Sequence, residues 1–231
     1  MKHICLPTIV AAVLLLPGCG GPQSALSPAG LEAELIANLF WWMTAGAGII
    51  WLGVLALALF ASKQRGEEDR SRRGNWIIFG GAAAPAVVLA VLLVFGLAML
   101  QQMLAVPPKD SLRVHVHAEQ WWWRFRYEIP GRLPFETANE LRLPVGEPVE
   151  FLLHSTNVIH SFWIPSLGGK VDVIPGRVNR LVLHPTRTGT FLGTCAEFCG
   201  VGHAKMAMQA VVVSKDVFGP WVETMQGAAK P

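Results

Sequence analysis

The chain has 231 residues, of which 52% are hydrophobic and 15% charged, with a mean hydropathy of +0.41 and a formal net charge of +3. That is too apolar for an ordinary soluble protein, and it leaves room for one modest domain beside membrane spans. So weak a positive charge also excludes a nucleic-acid binder, which would concentrate many more basic residues on one face.

Residues 1–18 open with Lys2 and His3, continue through the apolar run Ile9 to Leu16, and end in Leu16-Pro17-Gly18-Cys19. This is the charged start and short apolar core of a secretory signal, too short to cross a bilayer. Its ending resembles a bacterial lipoprotein signal, in which the cysteine after cleavage becomes an acylated first residue. A plain signal cleaved elsewhere, with Cys19 idle, is the alternative. Cys5 departs with the signal and Cys19 would carry lipid, so Cys195 and Cys199 are the only thiols expected in the exported domain.

Residues 35–61 carry no charge, and at about 1.5 Å per residue a helix of that length crosses a hydrocarbon core. A second uncharged run covers 76–104 and contains Gly80-Gly81 and Pro85, which membrane helices tolerate better than soluble ones. Both are expected to be transmembrane helices. The loop between them, 62–75, holds five Lys or Arg in fourteen positions and is expected on the cytoplasmic side. The processed N-terminus and everything after Pro107 then lie outside, in agreement with the signal.

Residues 107–231 read as one domain of short alternating apolar runs. Leu112 to His117, Val149 to Leu153, Val178 to Leu183 and Met208 to Val213 are strand-like, with turns at Pro130-Gly131, Val145-Gly146, Pro175-Gly176 and Thr188-Gly189. A helical period appears only from Asp216 to Met225. Short strands without intervening helices indicate an antiparallel sandwich or barrel. In the run Trp121-Trp122-Trp123 the side chains must alternate, so at least one indole is presented away from the core.

The densest chemistry is at Cys195-Ala196-Glu197-Phe198-Cys199-Gly200-Val201-Gly202-His203-Ala204-Lys205-Met206. Two thiols, an imidazole and a thioether within twelve residues form a soft donor set of the kind copper prefers. A disulfide between Cys195 and Cys199 is the bland reading in an oxidising compartment. Zinc rarely takes a thioether, and a mononuclear blue-copper site needs only one cysteine. His115, His117, His154 and His184 sit in or beside strands with no motif around them and are read as structural or surface residues.

The spacing C-x-E-x-C-G-x-x-H-x-x-M resembles the dinuclear copper-A loop of cytochrome c oxidase subunit II, and six specified positions agree. His160-Ser161-Phe162-Trp163-Ile164-Pro165, which begins 35 residues before Cys195, is similar to the family segment that supplies a further histidine. The resemblance implies an N-terminal two-helix transmembrane hairpin followed by an all-β cupredoxin-like sandwich. It implies that Cys195 and Cys199 bridge two copper ions, that His160 and Met206 complete one, and that His203 and the backbone carbonyl of Glu197 complete the other. The Glu197 carboxylate is expected to reach a Mg²⁺ shared with subunit I, since a hard cation suits a carboxylate. Gln120-Trp121 resembles the family's electron-entry element, which makes Trp121 the residue that accepts electrons from cytochrome c. Phe162, Trp163, Phe198 and Val201 are expected to exclude water from the centre.

The resemblance thus implies subunit II of a bacterial respiratory oxidase in the inner membrane. It would pass electrons from cytochrome c to haem in subunit I, where oxygen becomes water, with a third subunit as a further neighbour. A quinol-oxidase-type scaffold and a periplasmic copper-delivery protein are the rival readings; the first lacks these ligands and the second is thioredoxin-like. Three features depart from the family pattern. Glu119 stands where many members have His, Ile78 replaces a carboxylate near the second span, and the domain from Pro107 onward carries 13 Lys plus Arg against 11 Asp plus Glu, a formal +2. A strongly acidic docking face is therefore not expected.

Overall fold

The computed structural model describes residues 20–63, 70–104 and 106–228. The expected signal at 1–18, Cys19 and part of the loop at 62–75 lie outside them. The described residues fall into two units, a pair of apolar helices within 35–108 and a sandwich built from 109–228 together with the residues up to Glu34.

The first helix, α1, is Leu31–Lys63. The second begins as α2 (Arg70–Ile78), widens into a π-helical turn at Phe79–Ala83, and continues as α3 (Ala84–Met103). Pro85 explains the widening. It has no N–H to give back one turn earlier, and the ladder shifts so that Ala84 N–H bonds the Phe79 carbonyl instead. Both helices are long and apolar enough to cross a membrane, and their most apolar windows have no residue buried inside the protein. Side chains such as Trp42 and Val94 point outward all round, which suits lipid rather than a protein core.

The sandwich has ten strands: β1 (Leu112–Glu119), β2 (Trp122–Glu128), β3 (Phe135–Ala138), β4 (Glu140–Pro144), β5 (Val149–Ser155), β6 (His160–Trp163), β7 (Val171–Val173), β8 (Asn179–Leu183), β9 (Gly189–Cys195) and β10 (Ala207–Val213). One sheet has the order β3-β2-β1-β5-β8 and the other β4-β10-β9-β6-β7. Strict alternation in β1 and β5 buries Val114, Val116, Phe151 and Leu153 and turns Arg113, His115, His117 and His154 outward. The expectation of a purely antiparallel sandwich is corrected here, because β1 pairs with β5 and β4 with β10 in parallel. Alternation marks which face a residue takes, whatever the direction of its neighbour, so it could not reveal this.

Phe162 is the hub of the core. It meets Trp123 edge-on at 5.6 Å and lies 5.5 Å from Phe151, so a residue of one sheet is locked between aromatics of the other. The C-terminal helix α4 (Lys215–Ala228) closes one end with Trp221 against Tyr127 and Phe135. The four expected turn glycines, Gly131, Gly146, Gly176 and Gly189, all adopt positive φ.

The residues before α1 are also part of the sandwich. Ala29 is buried and donates its N–H to the Ser166 carbonyl at 2.7 Å, and a Cβ at Gly30 would press on the Leu167 backbone. Glu32, in the first turn of α1, is buried and accepts from both the backbone N–H (2.9 Å) and Nδ1 (2.5 Å) of His184.

Candidate metal centre

β6 and β9 run antiparallel with Phe162 opposite Cys195, so His160 at the start of β6 and Cys195 at the end of β9 arrive at the same end of their sheet. The chain then loops out and comes back. Ala196 N–H bonds the Ser161 carbonyl at 2.9 Å, and Cys195 N–H bonds the Met206 carbonyl at 3.0 Å, which fixes both ends of the loop. Within it Gly200 turns at φ +118°, and a short 3₁₀ turn over His203–Lys205 delivers Met206 to the mouth of β10.

All the expected donor atoms converge. Cys195 Sγ and Cys199 Sγ are 3.7 Å apart, Cys195 Sγ is 3.8 Å from His160 Nδ1, and Cys199 Sγ lies 3.6 Å from His203 Nδ1 and 3.8 Å from Met206 Sδ. The Glu197 carbonyl oxygen is 3.2 Å from Cys195 Sγ. Both thiols are free, at a separation far beyond the roughly 2.05 Å of a disulfide. His160, Cys195, Cys199 and Met206 are buried, while His203 is half-buried at the loop surface.

The electrostatics suit a cation. Burial, with the neighbouring Cys195 adding to it, pushes the Cys199 thiol up to about 11, and burial also lowers the His160 imidazole. Left to themselves these groups are neutral soft donors in a dry pocket, and a metal ion is what makes the thiolate form favourable there. His160, Cys195 and Cys199 form a group with ligand atoms within 4.8 Å of one another, close enough to hold a metal ion.

Two neighbours escaped the sequence reading. Asn157 Oδ1 lies 3.1 Å from His160 Nε2, which leaves Nδ1 directed at Cys195; its only sequence signal is a polar residue three positions before the histidine. Gln120 Nε2 donates to the Cys199 carbonyl at 2.8 Å. Trp121 Nε1 donates to the same oxygen at 3.2 Å, with 37% of the residue exposed, so its indole bridges the surface and the loop. Trp123 by contrast is fully buried in the core beneath His160, because it lies inside β2 on its inward face with Phe125 and Tyr127, whereas Trp121 precedes the strand and is not bound by its alternation.

The expected water-excluding set needs correction. Phe162 is buried and Trp163 half-buried, but Phe198 is 78% and Val201 94% exposed. The loop is a single layer of chain, so turning Cys199 inward forces its flanking residues outward. The dry wall is supplied from below by Trp123, Phe162 and Met206. The Glu197 side chain is exposed and lies 3.8 Å from Lys170 Nζ. Glu119 pairs with Arg124 at 2.9 Å.

The remaining histidines are not idle. His115 Nδ1 and His154 Nε2 are 3.1 Å apart, His117 stacks on His154, and His115 Nε2 bonds Glu128 at 2.9 Å, all on the outer face of the first sheet. Burial lowers His117 and His154, and the hydrogen bond from His115 lowers Glu128.

Residues 128–215 match the family described as "Cytochrome C oxidase subunit II, periplasmic domain". The chain is 32% identical over 228 residues to cytochrome c oxidase subunit 2 of Alkalihalophilus pseudofirmus, covering 92% of this chain and 65% of that one. It is 31% identical to a probable cytochrome c oxidase subunit 2 of Rickettsia bellii, covering 93% and 87%. The crystal structure of the periplasmic domain of subunit II of cytochrome oxidase from Bradyrhizobium japonicum superposes with a TM-score of 0.50 at 32% identity, covering 54% of this chain and all of that domain. The chain thus spans about two thirds of the length of the Alkalihalophilus relative.

Proposed function

The chain belongs to the cytochrome c oxidase subunit II family, and from that premise we propose that it receives electrons from cytochrome c and hands them to haem in subunit I of a respiratory oxidase. The observation that carries the reading is the convergence of two free thiols, two imidazole nitrogens, a thioether sulfur and a carbonyl oxygen on one buried spot. A scaffold needs none of these donors.

In this reading Cys195 and Cys199 hold a dinuclear copper-A centre between them, His160 and Met206 serve one ion, and His203 with the Glu197 carbonyl serves the other. A copper pair held by these donors would supply one-electron transfer, and a fixed donor set would keep the rearrangement between oxidation states small. The protein supplies the rest. The loop's backbone bonds fix both thiols, Asn157 orients His160, and the wall of Trp123, Phe162 and Met206 keeps water from the sulfurs. Trp121 is the entry residue: its half-exposed indole can meet a docked donor on one edge and reaches Cys199 through one hydrogen bond on the other. The Glu197 carboxylate is exposed, is paired among the described residues only with Lys170 at 3.8 Å, and can turn to a Mg²⁺ shared with subunit I.

The two apolar helices would place the chain in a bacterial inner membrane with the sandwich on the periplasmic side, Cys19 as lipid anchor, and subunits I and III as neighbours. Electron paramagnetic resonance of the copper-loaded chain tests the centre. A multiline mixed-valence signal with two coppers per chain is the expected result. A single-copper spectrum, or a Cys195–Cys199 disulfide without metal, overturns the reading.

A further inference from the structure

The sandwich has a cavity of about 640 Å³ apart from the metal loop, at the outer ends of β1 and β2. Its size falls in the range of small-molecule sites, about 300–1,000 Å³, and exceeds what a lone halide or carboxylate fills. Lys109, Arg113, Arg126 and Arg132 line it against one carboxylate, Glu128, which is a formal +3 (four minus one).

The register of the two strands creates this imbalance. It sets Arg113 opposite Glu128 and His115 opposite Arg126 on the outward face. Glu128 is already committed, since it accepts from His115 at 2.9 Å and lies 3.8 Å from Arg113. Arg113 leans on Glu150 at 2.8 Å, and Arg132 reaches Glu223 only at 3.8 Å. Lys109 and Arg126 make no ion pair within 4 Å among the described residues.

A second, independent observation points to a ligand. Ser111 lines the cavity, and its hydroxyl oxygen is turned inward, buried and without a hydrogen-bond partner among the described residues. A buried hydroxyl left unpaired is a cost to the fold, and a turn of the Ser111 side chain toward an acceptor in the cavity would remove it. An anion with several acceptor oxygens meets both needs. Guanidinium forks match phosphate oxygens two at a time, and a monoanionic carboxylate would leave most of this charge uncompensated. Ile129, Pro130 and Pro134 give the same cavity an apolar side for an organic body.

We propose that this cavity binds an organic phosphate, with Arg126 and Lys109 on the phosphate oxygens and the Ser111 hydroxyl donating to one of them. Such a group could arrive as a phospholipid head group or as a soluble nucleotide. Lys109 follows the end of α3 at Met103 by six residues in sequence, so both sources are within the chain's reach. The site is independent of the copper reading and stands or falls separately.

The test uses the full chain as purified, in neutral detergent at low salt, as wild type and as Arg126→Gln, Lys109→Gln, Ser111→Ala and Arg177→Gln. Arg177 removes one positive charge without lining the cavity. ATP is titrated as the soluble probe by calorimetry. In parallel, the chain is released from nanodiscs of phosphatidylcholine with or without phosphatidylglycerol, and retained lipids are counted by native mass spectrometry. One arm should saturate at one ligand per chain. Arg126→Gln should weaken it about tenfold or more, the scale of one lost charge-assisted hydrogen bond, and Ser111→Ala should weaken it measurably. Arg177→Gln should stay within about twofold of wild type, the expectation for a charge that touches no ligand oxygen. Saturation by ATP identifies a soluble ligand, and selective retention of phosphatidylglycerol identifies a lipid. Circular dichroism and the urea midpoint of each variant verify its fold; should Arg126→Gln misfold, Ser111→Ala and Lys109→Gln decide. No saturable binding in either arm overturns the proposal. So does equal weakening by Arg177→Gln, which would mean diffuse attraction to a basic surface.

Discussion

Gly202→Ala is the sharpest probe of how the surface indole is tied to the metal loop. A Cβ at residue 202 would run directly into the Trp121 ring, overlapping Cγ and Cδ2 and standing 2.7 Å from Cε3, far inside van der Waals contact. Either the loop or the indole must give way. The loop is held by the backbone bonds of Cys195, His203 and Met206, whereas the indole is partly exposed and held at its edge by one hydrogen bond to the Cys199 carbonyl. The indole should therefore move. Its loss of that bond costs about 0.5–1.5 kcal/mol, and residual overpacking brings the total to about 1–3 kcal/mol. Urea unfolding of the copper-loaded chain measures the loss. The copper spectrum should be nearly unchanged, because no donor atom is displaced, while stopped-flow reduction by cytochrome c should slow. Stability within about 0.3 kcal/mol of wild type, together with unchanged reduction, would refute the argument; a G202A crystal structure with the indole in its original place would do the same.

Other perturbations test other parts of the molecule. Cys199→Ser should abolish the paired-metal signal and leave at most one ion per chain by elemental analysis, since its sulfur stands within 3.8 Å of Cys195, His203 and Met206. His184→Ala leaves the Glu32 carboxylate buried with only a backbone N–H, and should lower stability by about 1–3 kcal/mol, whereas a buried Glu32→Gln should cost less; the urea midpoints rank them. Phe198→Ser and Val201→Ser should shift stability by less than about 0.5 kcal/mol because both side chains already face solvent, and a larger loss in thermal unfolding would contradict their outward placement. Acidification should destabilise the sandwich from just below the unfolded histidine pKa, about 6.5, down to the lower folded values of His117 and His154. Their charged forms are disfavoured by burial, with Arg124 and His115 adding repulsion that Glu136 only partly offsets for His117, so the unfolded chain takes up protons first. Urea midpoints at pH 7.5 and 5.5 should differ, and His117→Gln should reduce the difference.

Spacing and period along the chain were enough for several parts of the molecule. Uncharged runs of helix-spanning length, period-two alternation in β1 and β5, glycines at four turns and the twelve-residue donor loop are properties of neighbouring residues, and each is visible without knowing where the chain goes. Alternation required only that the three adjacent indoles not all face one way; that Trp121 is exposed while Trp123 is buried follows from where β2 begins, at Trp122. Which distant segments meet is settled only when the chain folds in three dimensions. The parallel pairing of β1 with β5, the docking of Ala29 and Glu32 onto the sandwich, and the alignment of His160 with Cys195 depend on register between strands far apart in sequence. The outward turn of Phe198 and Val201 belongs with these. Hydrophobicity says that a residue gains by burial, but in a loop one chain thick the inward positions are taken by the donors, and geometry overrules the preference.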